Sequence, residues 1–297
     1  MIMQPKIYTV TTTDQQILCA KAWGDEKKTP LVLVHGYPDN QEVWESVIEY
    51  LINDFYIVTY DVRGAGLSSI PKRIRDYRLE RLSLDLKEVV DEVLPNRQFH
   101  MAAHDWGSIQ SWESATEPKF KGRLLSYTTI SGPCLDHAAL FLRDKFKTSP
   151  AKILKILTKS WYIGAFHLPF VAPTVWSLFS PEKWGKILKD LERKDNLPLN
   201  NNISADGKYG INLYRANFIP RLTAPRQRYA QCPVKAIILK YDTFVSPEYI
   251  TEAMPKWVEN FEYVELEANH WAILSQAEKV AAHIRQFIQS QSKQVVV

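Results

Sequence analysis

The sequence predicts an α/β fold: a mostly parallel, twisted sheet with helices on both faces and a mainly helical insertion. Three observations carry it. Short apolar runs alternate with amphipathic segments at both ends of the 297-residue chain, the pattern that builds parallel sheets covered on two sides. The run Leu31-Val32-Leu33-Val34 shows no polar alternation, as a strand buried on both faces requires. Residues 134–230 break the composition, with 16 Lys and Arg against 7 Asp and Glu, while the remainder is net acidic. Such a break marks a separate structural unit.

Taken in order, residues 7–10 and 17–23 read as an opening hairpin about Thr13-Asp14. The 31–34 strand leads into His35-Gly36, and residues 42–51 have helical spacing. The next strand, 56–60, ends in Asp61-Val62-Arg63-Gly64-Ala65-Gly66-Leu67-Ser68. Residues 79–94 read as a strongly amphipathic helix, with Leu82, Leu84, Leu86, Val89, Val90 and Val93 as its apolar residues. Strands follow at 99–103 and 124–130. In the basic middle, 151–160 reads as a helix and 200–207 as a polar loop. Alternation then resumes with a strand at 234–239, a helix at 248–254, a strand at 263–266 and a closing helix over 272–288. The division expected is a core of residues 1–133 and 231–297 and a cap of residues 134–230.

Composition narrows the function classes. Hydrophobic residues make up 45% and charged residues 24%, ordinary usage for a soluble globular protein. A net charge of +4 is too weak to argue for nucleic acid. Three widely spaced cysteines, Cys19, Cys134 and Cys232, argue against a disulfide framework and fit a reducing, cytoplasmic compartment. No CxxC or Cys/His cluster suggests a metal. The N-terminus lacks the apolar stretch of a signal peptide. Residues 160–181 carry no Asp, Glu, Lys or Arg, but Pro169, Pro173 and Pro181 cut them into pieces too short to span a membrane. A buried lid segment facing a pocket is the reading. The basic middle is read as a solvated face, with attraction of anionic ligands or a membrane surface as the alternative.

The chemistry centres on Ala103-His104-Asp105-Trp106-Gly107. An apolar strand ends at Ala103, and Gly107 and the residues after it read as a helix. A strand turning this sharply into a helix needs small residues two before and two after the apex, here Ala103 and Gly107. The apex residue is held in strained geometry with its side chain clear of the sheet. Asp105 in that place can attack an electrophilic carbon and form a covalent ester. A helix-capping aspartate is the plainer alternative.

Three further islands follow strands, on the edge where sites of open α/β sheets assemble. His35-Gly36-Tyr37-Pro38 can aim the Tyr37 backbone N–H at the nucleophile, with the Trp106 N–H as second donor of an oxyanion hole. Lys240-Tyr241-Asp242 offers a second carboxylate, and Asn269-His270-Trp271 a base. The chain order Asp105, Asp242, His270 is nucleophile, acid, base. His35, Pro38 and His104 flank the site and are expected to support the pocket. Ser108 lies too far along the helix to be the apex nucleophile. Asp136 is a rival acid in a poorer context, and Arg63-Gly64-Ala65-Gly66 lacks the third glycine of a phosphate loop.

These motifs, in this order and spacing, resemble the α/β-hydrolases of the epoxide hydrolase and haloalkane dehalogenase branch, whose nucleophile is aspartate. The resemblance covers nearly the whole chain, and over residues 31–137 it is closest to epoxide hydrolases. It implies an α/β-hydrolase fold with a cap and a small hydrophobic epoxide and water as substrates. It implies no cofactor. Two cap tyrosines would bind and protonate the epoxide oxygen. Tyr162 fits a Tyr-x-x-x-Phe-x-x-Pro context ending at Pro169, and Tyr214 fits Asn-x-Tyr-Arg, with Leu213 replacing the usual aromatic. Dehalogenases are the alternative, but Tyr37 stands where many carry asparagine, and Trp106 where fluoroacetate dehalogenases carry arginine. A non-enzymatic ligand-binding relative would be expected to lose a triad member, and none is lost. Oligomeric state is open, with a homodimer among the alternatives.

Overall fold

The computed structural model describes residues 4–159, 161–168 and 171–294. The chain opens with the antiparallel strands β1 (Lys6–Thr11) and β2 (Ile17–Trp23). Then come β3 (Thr29–Val34), α1 (Glu45–Leu51), β4 (Phe55–Tyr60), α2 (Leu79–Val93), β5 (Phe99–His104), α3 (Trp106–Ala115) and β6 (Leu124–Ile130). Six helices stand between β6 and the next strand among the described residues. They are α4 (Leu135–Thr148), α5 (Pro150–Lys159), α6 (Trp161–Phe166), α7 (Val171–Trp176), α8 (Pro181–Glu192) and α9 (Ile203–Thr223). The chain closes with β7 (Val234–Leu239), α10 (Glu248–Thr251), β8 (Phe261–Leu266), α11 (Ala272–Ser275) and α12 (Ala277–Gln294).

Among the described residues eight strands form one sheet in the order β1-β2-β4-β3-β5-β6-β7-β8. From β4 to β8 every neighbouring pair is parallel. β4, β5 and β7 are buried along their whole length, which is why their sequences run without alternation. The edge strands differ: β1 and β8 carry Lys6, Glu262 and Glu265 and are largely exposed, which blunts edge-to-edge pairing. The chain leaves β3 for β4 on one side, then crosses to β5 on the other. A crevice therefore opens beyond the C-terminal ends of β3 and β5.

The loop after β4 is an anchor. Arg63 is buried and bridges Asp14 of the opening turn and Asp85 of α2, donating through Nε to Asp85 Oδ2 at 2.6 Å. A buried guanidinium is tolerated because both of its ion-pair partners are in place.

Four expectations change. The polar stretch 200–207 is not all loop, because α9 begins at Ile203, which is fully buried. Gly207 and Gly210 disfavour a helix in isolation, but here they admit neighbours. A Cβ at Gly207 would meet Trp176 at 2.3 Å, and one at Gly210 would meet Tyr37 at 2.6 Å. The closing helix is two helices, since Gln276 leaves helical geometry at φ −134° and ψ 42°. The 248–254 helix stops at Thr251 and is followed by a 3-10 turn at Met254–Lys256. The 160–181 lid is only partly buried: Phe166, Trp176 and Phe179 face the pocket, whereas Trp161, Leu168 and Leu178 are exposed. Ser160, Pro169 and Phe170 lie outside the described residues. No helix among the described residues is long and apolar enough to cross a membrane.

Candidate active site

Asp105 stands between β5 and α3 with φ 51° and ψ −123°. Such geometry costs on the order of 1–3 kcal/mol for a non-glycine residue. The neighbours that hold it explain the small residues in the motif. A Cβ at Gly107 would lie 2.2 Å from the Val34 carbonyl oxygen, so only glycine lets α3 start this close to β3. The turn lifts the Asp105 carboxylate over the crevice.

The other motif residues converge on it. The backbone N–H of Tyr37 donates to Asp105 Oδ1 at 2.8 Å. Trp106 is the first residue of α3, where no helical acceptor exists for its N–H. His270 Nε2 lies 3.4 Å from Asp105 Oδ2, and its Nδ1 is 2.9 Å from Asp242 Oδ2. The other oxygen of Asp242 accepts from the N–H groups of Phe244, at 2.7 Å, and Val245, at 3.1 Å. That turn locks the carboxylate towards the imidazole.

The electrostatics follow from this arrangement. Burial pushes Asp242 towards its neutral form, but the charge and hydrogen bond of His270 outweigh it and hold the carboxyl at about 2. Burial likewise opposes charge on His270, and the carboxylates of Asp242 and Asp105 on either side overcome it, raising the imidazole to about 10. The arrangement thus favours the charged imidazolium in the resting site.

Tyr214 is buried on α9, and Tyr162 is half-buried on α6, with ring centroids 6.1 Å apart. Both line the cavity over Asp105. Burial raises both phenols, and the charge of Asp105 adds to it, so they stay protonated. Trp106 packs edge-on against Tyr214 at 4.7 Å.

The flanking residues have structural work. His35 Nε2 accepts the Val62 N–H at 2.9 Å, and Pro38 lines the cavity. His104 Nε2 bonds the His270 carbonyl at 2.8 Å, and burial lowers the His104 imidazole to about 4. That keeps it neutral. Asp136 is the residue not brought in: it pairs with Arg226 at 2.9 Å. Ser108 is turned to the Ala103 carbonyl.

Three residues were not picked out by motif. Asp39 is buried and accepts from Trp271 Nε1 at 2.9 Å; burial, reinforced by the charge of Asp105, raises it to about 7. Glu192 of α8 accepts the Trp271 N–H at 2.8 Å, bracing the loop that carries His270. Asp206 of α9 takes the Gly66 N–H on one oxygen, at 2.8 Å, and Asn40 Nδ2 on the other, at 3.0 Å. With the Tyr37 hydroxyl donating to Gly207 O at 3.0 Å, it ties α9 to the loop that supplies the Tyr37 N–H. Asp39 follows directly on His35-Gly36-Tyr37-Pro38, but only its burial distinguishes it. Asp206 lay in what read as a polar loop.

A carboxylate on a strained strand-to-helix turn, backed by an acid–histidine pair, defines an α/β-hydrolase. The chain belongs to the alpha/beta hydrolase fold family, whose model matches residues 29–277. Among curated proteins it is 29% identical over 275 residues to "Probable oxidoreductase EphD" of Mycobacterium tuberculosis, covering 89% of this chain and 46% of that protein. It is 28% identical over 169 residues to "Epoxide hydrolase 3" of Xenopus tropicalis, covering 57% of this chain and 43% of that one. The chain thus spans about half the length of these relatives. Solved structures agree in fold. An epoxide hydrolase from Vigna radiata superposes with a TM-score of 0.76 at 21% identity, covering 97% of this chain and 99% of that one. One from Bacillus megaterium, in complex with its product, gives 0.77 at 20% identity, covering 95% of this chain and all of that one.

Proposed function

We propose that the chain hydrolyses a small hydrophobic epoxide to a vicinal diol, with residues 134–230 as a cap over a core of residues 1–133 and 231–297. One observation carries the reading. Asp105, Tyr162 and Tyr214 line one cavity, and His270, paired with Asp242, lies 3.4 Å from the Asp105 carboxylate. The free cysteines suit a reducing, cytoplasmic setting.

In the first step Asp105 Oδ2 attacks a ring carbon, the carbon–oxygen bond breaks, and Tyr162 and Tyr214 bind the departing oxygen and supply its proton. Oδ1 stays with the Tyr37 N–H and becomes the ester carbonyl oxygen. In the second step His270 Nε2 takes a proton from a water that attacks the ester carbon. The Tyr37 and Trp106 N–H groups hold the oxyanion, and the diol leaves with the former Oδ2.

The first step also prepares the second. Esterification removes the Asp105 charge, one of the two that raise His270. The imidazolium then loses its proton more readily and becomes a base. Ester hydrolysis should therefore speed up as pH rises through the lowered histidine pKa, whereas alkylation should show no such limb. Asp242→Asn should slow hydrolysis on the order of a thousandfold and spare alkylation. Rapid-quench measurement of the two half-reactions checks both expectations. Hydrolysis that slows with rising pH, or survives Asp242→Asn, would remove the pair from this role.

A second reading, carbon–halogen cleavage by the same nucleophile, is favoured by the buried indole N–H of Trp106. It lies beside Tyr214, makes no well-formed hydrogen bond among the described residues, and could donate to a halide. A screen of epoxides against halogenated alkanes, scoring diol and halide separately, decides between them. Diol without halide is expected, and halide without diol would install the dehalogenase reading.

A further inference from the structure

The space around Asp105 is two chambers of unequal size. Asp105, Tyr162, Tyr214 and Phe244 line both, so the reacting carboxylate sits where they meet. The larger chamber has a volume of about 540 Å³, ordinary for a whole small-molecule ligand. Its walls include Phe166, Trp176, Phe179, Trp184 and Ile187, and it opens beside Trp161, which is 74% exposed. The smaller chamber has about 70 Å³. A single water needs roughly 10–15 Å³ by that measure, so the space suits about five waters or one short alkyl group.

The smaller chamber cannot readily lengthen. Ile109, Ala138, Leu142 and Phe218 close its sides. Arg221 also lines it, and its guanidinium is paired with Glu80 and lies 3.8 Å from Glu113. A long apolar arm pushed this way would press on a largely buried guanidinium and on the buried Glu113 carboxylate beside it, which is costly. Among the described residues no comparable charge lines the larger chamber beyond the catalytic groups themselves.

We propose that the site selects epoxides with unequal arms. A bulky apolar arm occupies the larger chamber, hydrogen or a short alkyl group fills the smaller one, and the strained ring rests at Asp105 between them. This inference rests on the epoxide hydrolase reading and adds the substrate class.

The test uses three isomers with the same carbon count, 1,2-, 2,3- and 6,7-epoxydodecane, compared by kcat/KM. The first two should exceed the third by about thirtyfold or more, since each surplus methylene in a fitted pocket is worth roughly tenfold or more. Leu142→Ala, which enlarges the smaller chamber, should raise kcat/KM for 6,7-epoxydodecane about tenfold relative to that for the 1,2 isomer. Ala138→Leu should slow the 2,3 isomer relative to the 1,2 isomer. Tryptophan-fluorescence binding of dodecan-1-ol and dodecan-6-ol asks the same question without turnover, and the former should bind tighter. Equal kcat/KM for all three isomers, or preference for 6,7-epoxydodecane, overturns the proposal. If no epoxide yields diol while the alcohols are still distinguished, the hydrolase reading fails and the unequal chambers stand. Loss of both overturns both.

Discussion

His270→Gln is expected to turn a catalyst into a reagent. Each chain should react once with an epoxide and retain a mass increment equal to the substrate, because Asp105 and both tyrosines remain. Steady-state turnover should fall by about a thousandfold or more. Asp105→Ala should gain no mass, since the attacking oxygen is gone. The distinction follows from the geometry: His270 Nε2 lies 3.4 Å from Asp105 Oδ2 in the wall of the same cavity, placed to activate a water against the ester while Asp105 itself supplies the attacking oxygen. Intact-protein mass spectrometry after substrate addition, with thermal melts as a folding control, reads both variants. A His270→Gln chain that turns over normally would take histidine out of the mechanism.

The paired tyrosines should show the second large effect. Ring opening develops negative charge on oxygen, and a phenol kept protonated by burial can donate its hydrogen to that charge. Tyr162→Phe and Tyr214→Phe remove one hydroxyl each and almost no volume, so the aromatic packing around them should survive. A lost hydrogen bond to developing charge is worth roughly 2–4 kcal/mol, about thirtyfold to thousandfold in the alkylation rate. With two donors on one oxygen, each single variant should keep partial activity and the double variant almost none. Single-turnover alkylation by a styrene-oxide-like probe measures it. A double variant as fast as the parent would end the epoxide assignment.

The parts that were readable in the sequence share a local cause. β3 and β5 are buried on both faces, so their apolar runs stand out, and the elbow needs small residues whatever lies around it. Asp242 and His270 could be placed because each follows directly on a strand end. What was hidden depends on partners distant in the chain. Residues 203–207 look like a loop because Gly207 and Asp206 are poor helix formers, yet Trp176 fills the space that Gly207 leaves, and Gly66 and Asn40 take up the carboxylate. Asp39 carries no pattern at all; its character comes from burial beside Trp271. The unequal chambers were also beyond reach, since their walls draw on α3, α4, α6, α9 and the loop after β7 at once.

The central claim is that water attacks the ester carbon of Asp105 and never the epoxide. Single turnover in water enriched in oxygen-18, with enzyme in excess, tests it most directly. The label is expected in the peptide bearing Asp105, and the first diol released should be unlabelled, having taken its oxygen from the carboxylate. Label in that first diol, with none in the protein, would mean that water opens the ring itself and that Asp105 is no nucleophile.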